Sequence, residues 1–181
     1  METGSIQLFG KNVVSFFRHH IMSLRHSNSF ISSGDLKINR ITDSPEKMID
    51  GPYSKHLAKM IVEKNKGKCD VFEFCNTDNT IVGTLSVMYK GGNDIEYKIR
   101  HIDAFIYNVY TVEAYRGKGY AGDMIKLLME YLHEMNIDKA YLAVSTNNES
   151  AIRCYRKVGF TTEYDMSFIR ILRINIPYRR L

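Results

Sequence analysis

One stretch constrains this chain more than any other: Tyr110-Thr111-Val112-Glu113-Ala114-Tyr115-Arg116-Gly117-Lys118-Gly119-Tyr120-Ala121-Gly122. It follows a β-prone run over residues 102–112. It precedes the strongest helical pattern in the sequence, residues 120–135, where Met124, Leu128, Tyr131, Leu132 and Met135 share one face. Glycines at such a junction let the backbone turn sharply and come close to a ligand. The first amides of a helix have no intrahelical acceptor, and the helix dipole favours an anion there. A turn of consecutive N–H groups is a nest for phosphate. Residues 110–122 therefore predict a strand–turn–helix unit with a phosphate site at the helix N-terminus.

Two phosphate-binding patterns do not fit. A Walker loop needs Gly-Lys followed by Ser or Thr, and Gly117-Lys118 is followed by Gly119. Gly117, Gly119 and Gly122 match the spacing of a dinucleotide fingerprint, but that fingerprint belongs to an early βαβ unit. Here a run of strands precedes it. Residues 36–41 alternate at period two, and residues 71–75 and 81–89 flank the turn-forming 76–79, which reads as an antiparallel hairpin. Between them, Asp43 or Ser44 with Pro45-Glu46 resembles a helix start, and residues 54–64 read as a helix ended by Gly67. After the central helix come a strand at 141–144, apolar enough for burial on both faces, a helix at 149–158 closed by Gly159, and a strand at 166–174. The expected fold class is α/β, a mixed, mostly antiparallel central sheet flanked by helices on both faces.

Residues 13–24 are apolar around much of their circumference and read as a helix that ends near Ser27-Asn28-Ser29. The expected organisation is thus a helical extension over 1–33, packed on the domain or on a second copy in a homodimer, and a main domain over 34–181. Its apolar side chains are too many to leave in water, and Lys11, Arg18 and Arg25 are too few cations for a membrane-surface helix.

The 181 residues carry a net charge of +5, with acids and bases interspersed, so no nucleic-acid surface is expected. No run of about 18 apolar residues exists to span a membrane. The first residues lack the pattern of a secretion signal, and the three cysteines, Cys69, Cys75 and Cys154, form no paired motif. Both features point to a cytoplasmic protein. His19, His20 and His26 have no acid at ligand spacing, so no metal site is expected.

Arg116-x-x-Gly119-x-Ala121 after a strand, preceded by Val112-x-x-Tyr115, resembles the acetyl-CoA motif of the GNAT N-acetyltransferase superfamily. Asn148-x-x-Ala151-x-x-x-Tyr155-x-x-x-Gly159-Phe160 resembles the second motif of that family, in the right order. The resemblance covers roughly residues 35–175, with Ala114 standing where many members carry proline or an acid. It implies the acyl-CoA N-acyltransferase fold and an enzyme that moves acetyl from acetyl-CoA to a primary amine. Amides of Gly117, Lys118, Gly119, Tyr120, Ala121 and Gly122, beside Arg116, would then hold the CoA pyrophosphate. Tyr110, Thr111 and Val112 would pair with the pantetheine arm and polarise the thioester carbonyl. Asn148 would hydrogen-bond the pantetheine or cap its helix, or do both. Tyr155 would protonate the departing thiolate, or else close the core. For a general base Asp103, His101, Glu96, Glu73 and water alone stay open. An acyl-CoA-binding module without turnover, acting as sensor or assembly partner, is the alternative to an enzyme.

Overall fold

The computed structural model describes residues 5–8, 11–27, 35–42, 67–92, 103–171 and 174–180, with side chains within 18–169 of these. Nine described strands form one sheet. They are β1 (Ser5–Leu8), β2 (Lys11–Arg25), β3 (Leu36–Arg40), β4 (Cys69–Asn76), β5 (Ile81–Tyr89), β6 (Ala104–Thr111), β7 (Lys139–Ser145), β8 (Thr161–Ile171) and β9 (Ile174–Arg180). Two helices are described, α1 (Tyr120–Glu134) and α2 (Glu149–Val158). The sheet order is β3-β4-β5-β6-β7-β2-β8-β9, with β1 beside the N-terminal part of β2. Every pairing is antiparallel except β6 with β7.

The core lies between one face of the sheet and the helices. From α1, Met124, Ile125, Leu128, Met129 and Leu132 are fully buried against Phe72, Phe74, Leu85, Val87, Ile106 and Leu142. Burial of such side chains is worth about 1.5–3 kcal/mol each, so α1 is held by its apolar stripe rather than by helix propensity. Ile152 and Val158 of α2 join the same cluster. The two described helices share one face of the sheet. The opposite face carries a smaller cluster of Cys69, Met88 and Phe105. The expected helices at 43–46 and 54–64 lie outside the described residues. Among those described, no helix is long and apolar enough to cross a membrane.

The N-terminal expectation is corrected. Residues 11–25 are a strand, not a helix, and no peripheral extension. β2 sits inside the sheet, paired with β7 from His19↔Ser145 to Arg25↔Lys139 and with β8 from Val14↔Ile171 to Ser23↔Thr161. Its Ile21, Met22, Ser23 and Leu24 are all buried. A strand covered on both faces has no polar alternation, and a continuous apolar run is ambiguous between helix and strand. β7 departs from expectation in the other sense. Ala140, Leu142 and Val144 are buried, while Tyr141 and Ala143 between them are half-buried, so one face is packed less tightly.

Candidate active site

The site begins where β6 and β7 part. They pair only from Ala104↔Ala140 to Ile106↔Leu142. Beyond that, β6 runs on to Thr111 and β7 to Ser145 without further pairing, leaving a wedge-shaped opening. A bulge drives the divergence. On the β5 side Thr84 faces Tyr110 and Ser86 faces Tyr107, so Asn108 and Val109 together oppose Leu85 alone. Asn108 takes the left-handed conformation at φ 56°, which asparagine tolerates better than most residues. The result is a cleft of about 180 Å³ lined by Ile106–Val109 of β6, Leu142–Ser145 of β7, Asn148 and Tyr155.

The backbone at the end of β6 has an orderly division of labour. The Val112 N–H donates to the Val82 carbonyl at 2.9 Å, and Tyr110 faces Thr84 of β5. Strand alternation then turns the N–H and C=O of Thr111 away from β5, toward the opened side. The Arg116 Nε donates to that Thr111 carbonyl at 3.1 Å, and the guanidinium lies 5.6 Å from the Tyr110 ring centroid. Arg116 thus fastens the turn to the strand it leaves.

Between β6 and α1 the chain makes a short 3-10 turn, Glu113–Tyr115, and then the glycine segment. Gly117 and Gly119 have φ of 75° and 90°, a region that side chains strain to adopt, and neither would bring a Cβ within 4 Å of another atom. The backbone is thereby bare on its outer side, as a polyphosphate would require. Among the described residues the amides of Gly117 to Ala121 have no acceptor, while the Gly122 N–H is spent on the Gly119 carbonyl at 2.9 Å. Gly122 instead lies where α1 meets α2, an added Cβ falling 3.2 Å from Val158. The Lys118 ammonium stands 5.5 Å from the Tyr115 ring, and Tyr115 meets Tyr120 edge-on at 5.4 Å.

α2 brings two more residues to the cleft. The Asn148 carbonyl oxygen caps the helix, accepting from the Ala151 N–H at 3.2 Å and from the Ser150 hydroxyl at 3.1 Å. Its amide N–H groups are not used in the cap. Tyr155 packs against Phe160 at 5.8 Å between ring centroids, and burial pushes its phenol up to about 12, with Cys154 adding to the effect.

The base candidates fare differently. Asp103 is exposed at the start of β6, 3.9 Å from Lys90 and about 16 Å of strand from Asn108. Glu73 is buried on β4, in a row across the sheet with Thr84 and Tyr110. His101 and Glu96 lie outside the described residues. One residue of the cleft escaped the sequence reading. Asn108 lines the cleft, and its buried side-chain oxygen has no hydrogen-bond partner among the described residues. The signal available was an asparagine in the middle of a β-prone run, where a positive φ would mark a bulge.

Comparison with known proteins gives a consistent picture. A family model described as "Acetyltransferase (GNAT) family" matches residues 38–160. Spermidine N(1)-acetyltransferase of Escherichia coli K12 is 45% identical over 53 residues, 29% of this chain and 28% of that protein. The chain thus spans well under half the length of that relative. A GCN5-related N-acetyltransferase from Sphaerobacter thermophilus superposes with a TM-score of 0.59 at 14% identity, over 90% of this chain and 54% of that one. Spermidine/spermine N-acetyltransferase SpeG from Vibrio cholerae gives 0.53 at 18% identity, over 74% and 82%. At such identities the structural likeness speaks to the fold.

Proposed function

Because the chain belongs to the GNAT acetyltransferase family, we propose that it transfers acetyl from acetyl-CoA to a primary amine of a small polar molecule, by direct attack in a ternary complex. The observation that carries this reading is the wedge between β6 and β7, with the bare glycine turn at one end and Tyr155 and Asn148 in its wall.

Bound acetyl-CoA supplies the activated thioester. The unpaired amides of Gly117 to Ala121, at the positive end of α1, hold its pyrophosphate. The Thr111 N–H, turned into the opening, donates to the pantetheine arm or the thioester carbonyl, and the Asn148 amide adds a donor on the β7 side. The Asn108 side-chain oxygen accepts an N–H from the incoming amine, which orients its lone pair. As the new C–N bond forms and the C–S bond breaks, the Tyr155 hydroxyl gives its proton to the sulfur. A phenol near 12 is a weaker acid than a free thiol at about 8.5, so the proton moves while the C–S bond breaks. The amine attacks as its free base, its ammonium proton having passed to water, and the proton it sheds as the amide forms returns through water to the Tyr155 phenolate; among the described residues lining the cleft there is no carboxylate to take either.

Two relatives are named for polyamines, and spermidine belongs among the acceptors to test. Among the described residues the cleft lining carries no acid, which favours a smaller, less cationic amine. The deciding experiment is release of free thiol from acetyl-CoA across a panel of amines, amino sugars and polyamines. Turnover with one of them supports the enzyme. Acetyl-CoA binding without turnover on any would favour the sensor reading, and absence of binding would overturn both.

A further inference from the structure

At the far end of α1, about 20 Å of helix from the glycine turn, three segments distant in sequence converge. His26 follows the last residue of β2, Glu130 and His133 lie in the last turns of α1, and Asp138 precedes β7. The His26 Nε2 is 3.2 Å from Glu130 Oε2, and the His133 Nδ1 is 2.5 Å from Asp138 Oδ1. The two imidazoles stack at 4.0 Å with 3° between their planes. A ring nitrogen from each histidine and an oxygen of Asp138 all lie within 4.8 Å of one another. The His26 N–H donates to the Asp138 carbonyl at 2.7 Å, which fixes the two loops relative to each other.

We infer that His26, His133 and Asp138 form a binding site for a divalent transition metal, with Glu130 holding the His26 ring. Two imidazoles and a carboxylate are a donor set that suits a borderline ion such as Zn²⁺. A carboxylate behind a ligating histidine is the usual second partner in such sites. The two carboxylates bring a charge of −2 that a divalent ion balances. Ligand atoms around a tetrahedral ion sit about 3.3 Å apart, so the cluster must contract by somewhat more than 1 Å. The parallel rings also have parallel lone pairs, which do not converge. His133 supplies the movement: its side chain is half exposed while that of His26 is only 8% exposed, so His133 can turn off the stack. A stacked pair of this kind holds the ring only weakly.

The ion would tie the end of β2 to α1 and to the start of β7. β2 lies outside residues 38–160, the part that matches the family model, yet occupies the middle of the sheet. A clip at its exit is placed where it adds most to holding that strand in register.

The test uses the full chain, stripped with a chelator and titrated with Zn²⁺ by calorimetry and thermal melting. Co²⁺ serves as a visible-absorption probe. The expected result is one ion per chain and a melting temperature raised by about 5–10 °C at a hundredfold excess over Kd. His133→Ala and Asp138→Ala, both at exposed positions, should each weaken binding at least tenfold and abolish the cobalt bands. Undiminished Zn²⁺ affinity in both variants, or no binding by the parent chain, would overturn the site and leave a hydrogen-bonded cluster only.

Discussion

Tyr155 and Asn108 make opposite use of burial. Tyr155, the proton donor in the proposed reaction, is kept protonated by its surroundings. Replacing it with phenylalanine preserves the ring against Phe160 and removes only the proton. The expected outcome is a fall in kcat of about 10²-fold with acetyl-CoA affinity unchanged, read by steady-state kinetics and calorimetry. Because the phenol is raised to about 12, its proton stays in place well above pH 10. The alkaline limb of kcat should therefore be the same in Tyr155→Phe as in the parent; a limb near pH 10 that vanishes with the hydroxyl would contradict the raised value. Asn108 is a buried acceptor without a donor, in a conformation that costs energy. Asn108→Ala is expected to raise the acceptor KM severalfold while leaving acetyl-CoA binding within twofold. An unchanged acceptor KM would make the bulge its whole purpose.

Each helix end near the cleft has two tasks in the proposed reaction. The N-terminus of α1 leaves its amides unpaired because Gly119 caps it with backbone alone. The N-terminus of α2 is capped by a side chain, Asn148, which also lines the cleft and keeps its amide donors out of the cap. Two substitutions separate those tasks. Asn148→Ala removes cap and donors, and should destabilise the protein by about 1 kcal/mol, a drop in Tm of roughly 2–4 °C for a chain of this size. Asn148→Asp keeps an oxygen for the Ala151 N–H and should hold Tm, yet lose acetyl-CoA affinity because a carboxylate has no N–H to offer. Equal affinity in parent and Asn148→Asp would assign Asn148 to capping alone.

The molecule as a whole depends on β2. It lies between β7 and β8, and Ile21, Met22 and Leu24 are buried to 1%, 0% and 4% exposure. Removing residues 1–27 would strip a partner strand from both β7 and β8 and expose their edges. The truncated chain is expected to lose cooperative thermal unfolding and to aggregate. The milder Met22→Ala should cost about 2–5 kcal/mol, as for any large core side chain. A truncated protein with an unaltered melting curve would return these residues to the status of a dispensable extension.

How much of this was legible depends on the distance over which each feature is decided. Local rules gave the hairpin of β4 and β5, the amphipathic α1, the Asn148 cap and the strand–turn–helix at residues 110–122, because turn residues, helical spacing and capping act within a few positions. The family motifs lie in those same local units. Tertiary structure alone decided the rest. The apolar run at 13–24 holds no information about whether a neighbour will hydrogen-bond it, and only the open edges of β7 and β8 make it a strand. The bulge at Asn108 exists because Leu85 is the single residue opposite two on β6. His26 meets Glu130, His133 and Asp138 across more than a hundred residues, so no spacing in the sequence could announce them. Short-range patterns follow from sterics and backbone hydrogen bonding; which strand completes a sheet, and which distant side chains then meet, follows from the packing of the finished core.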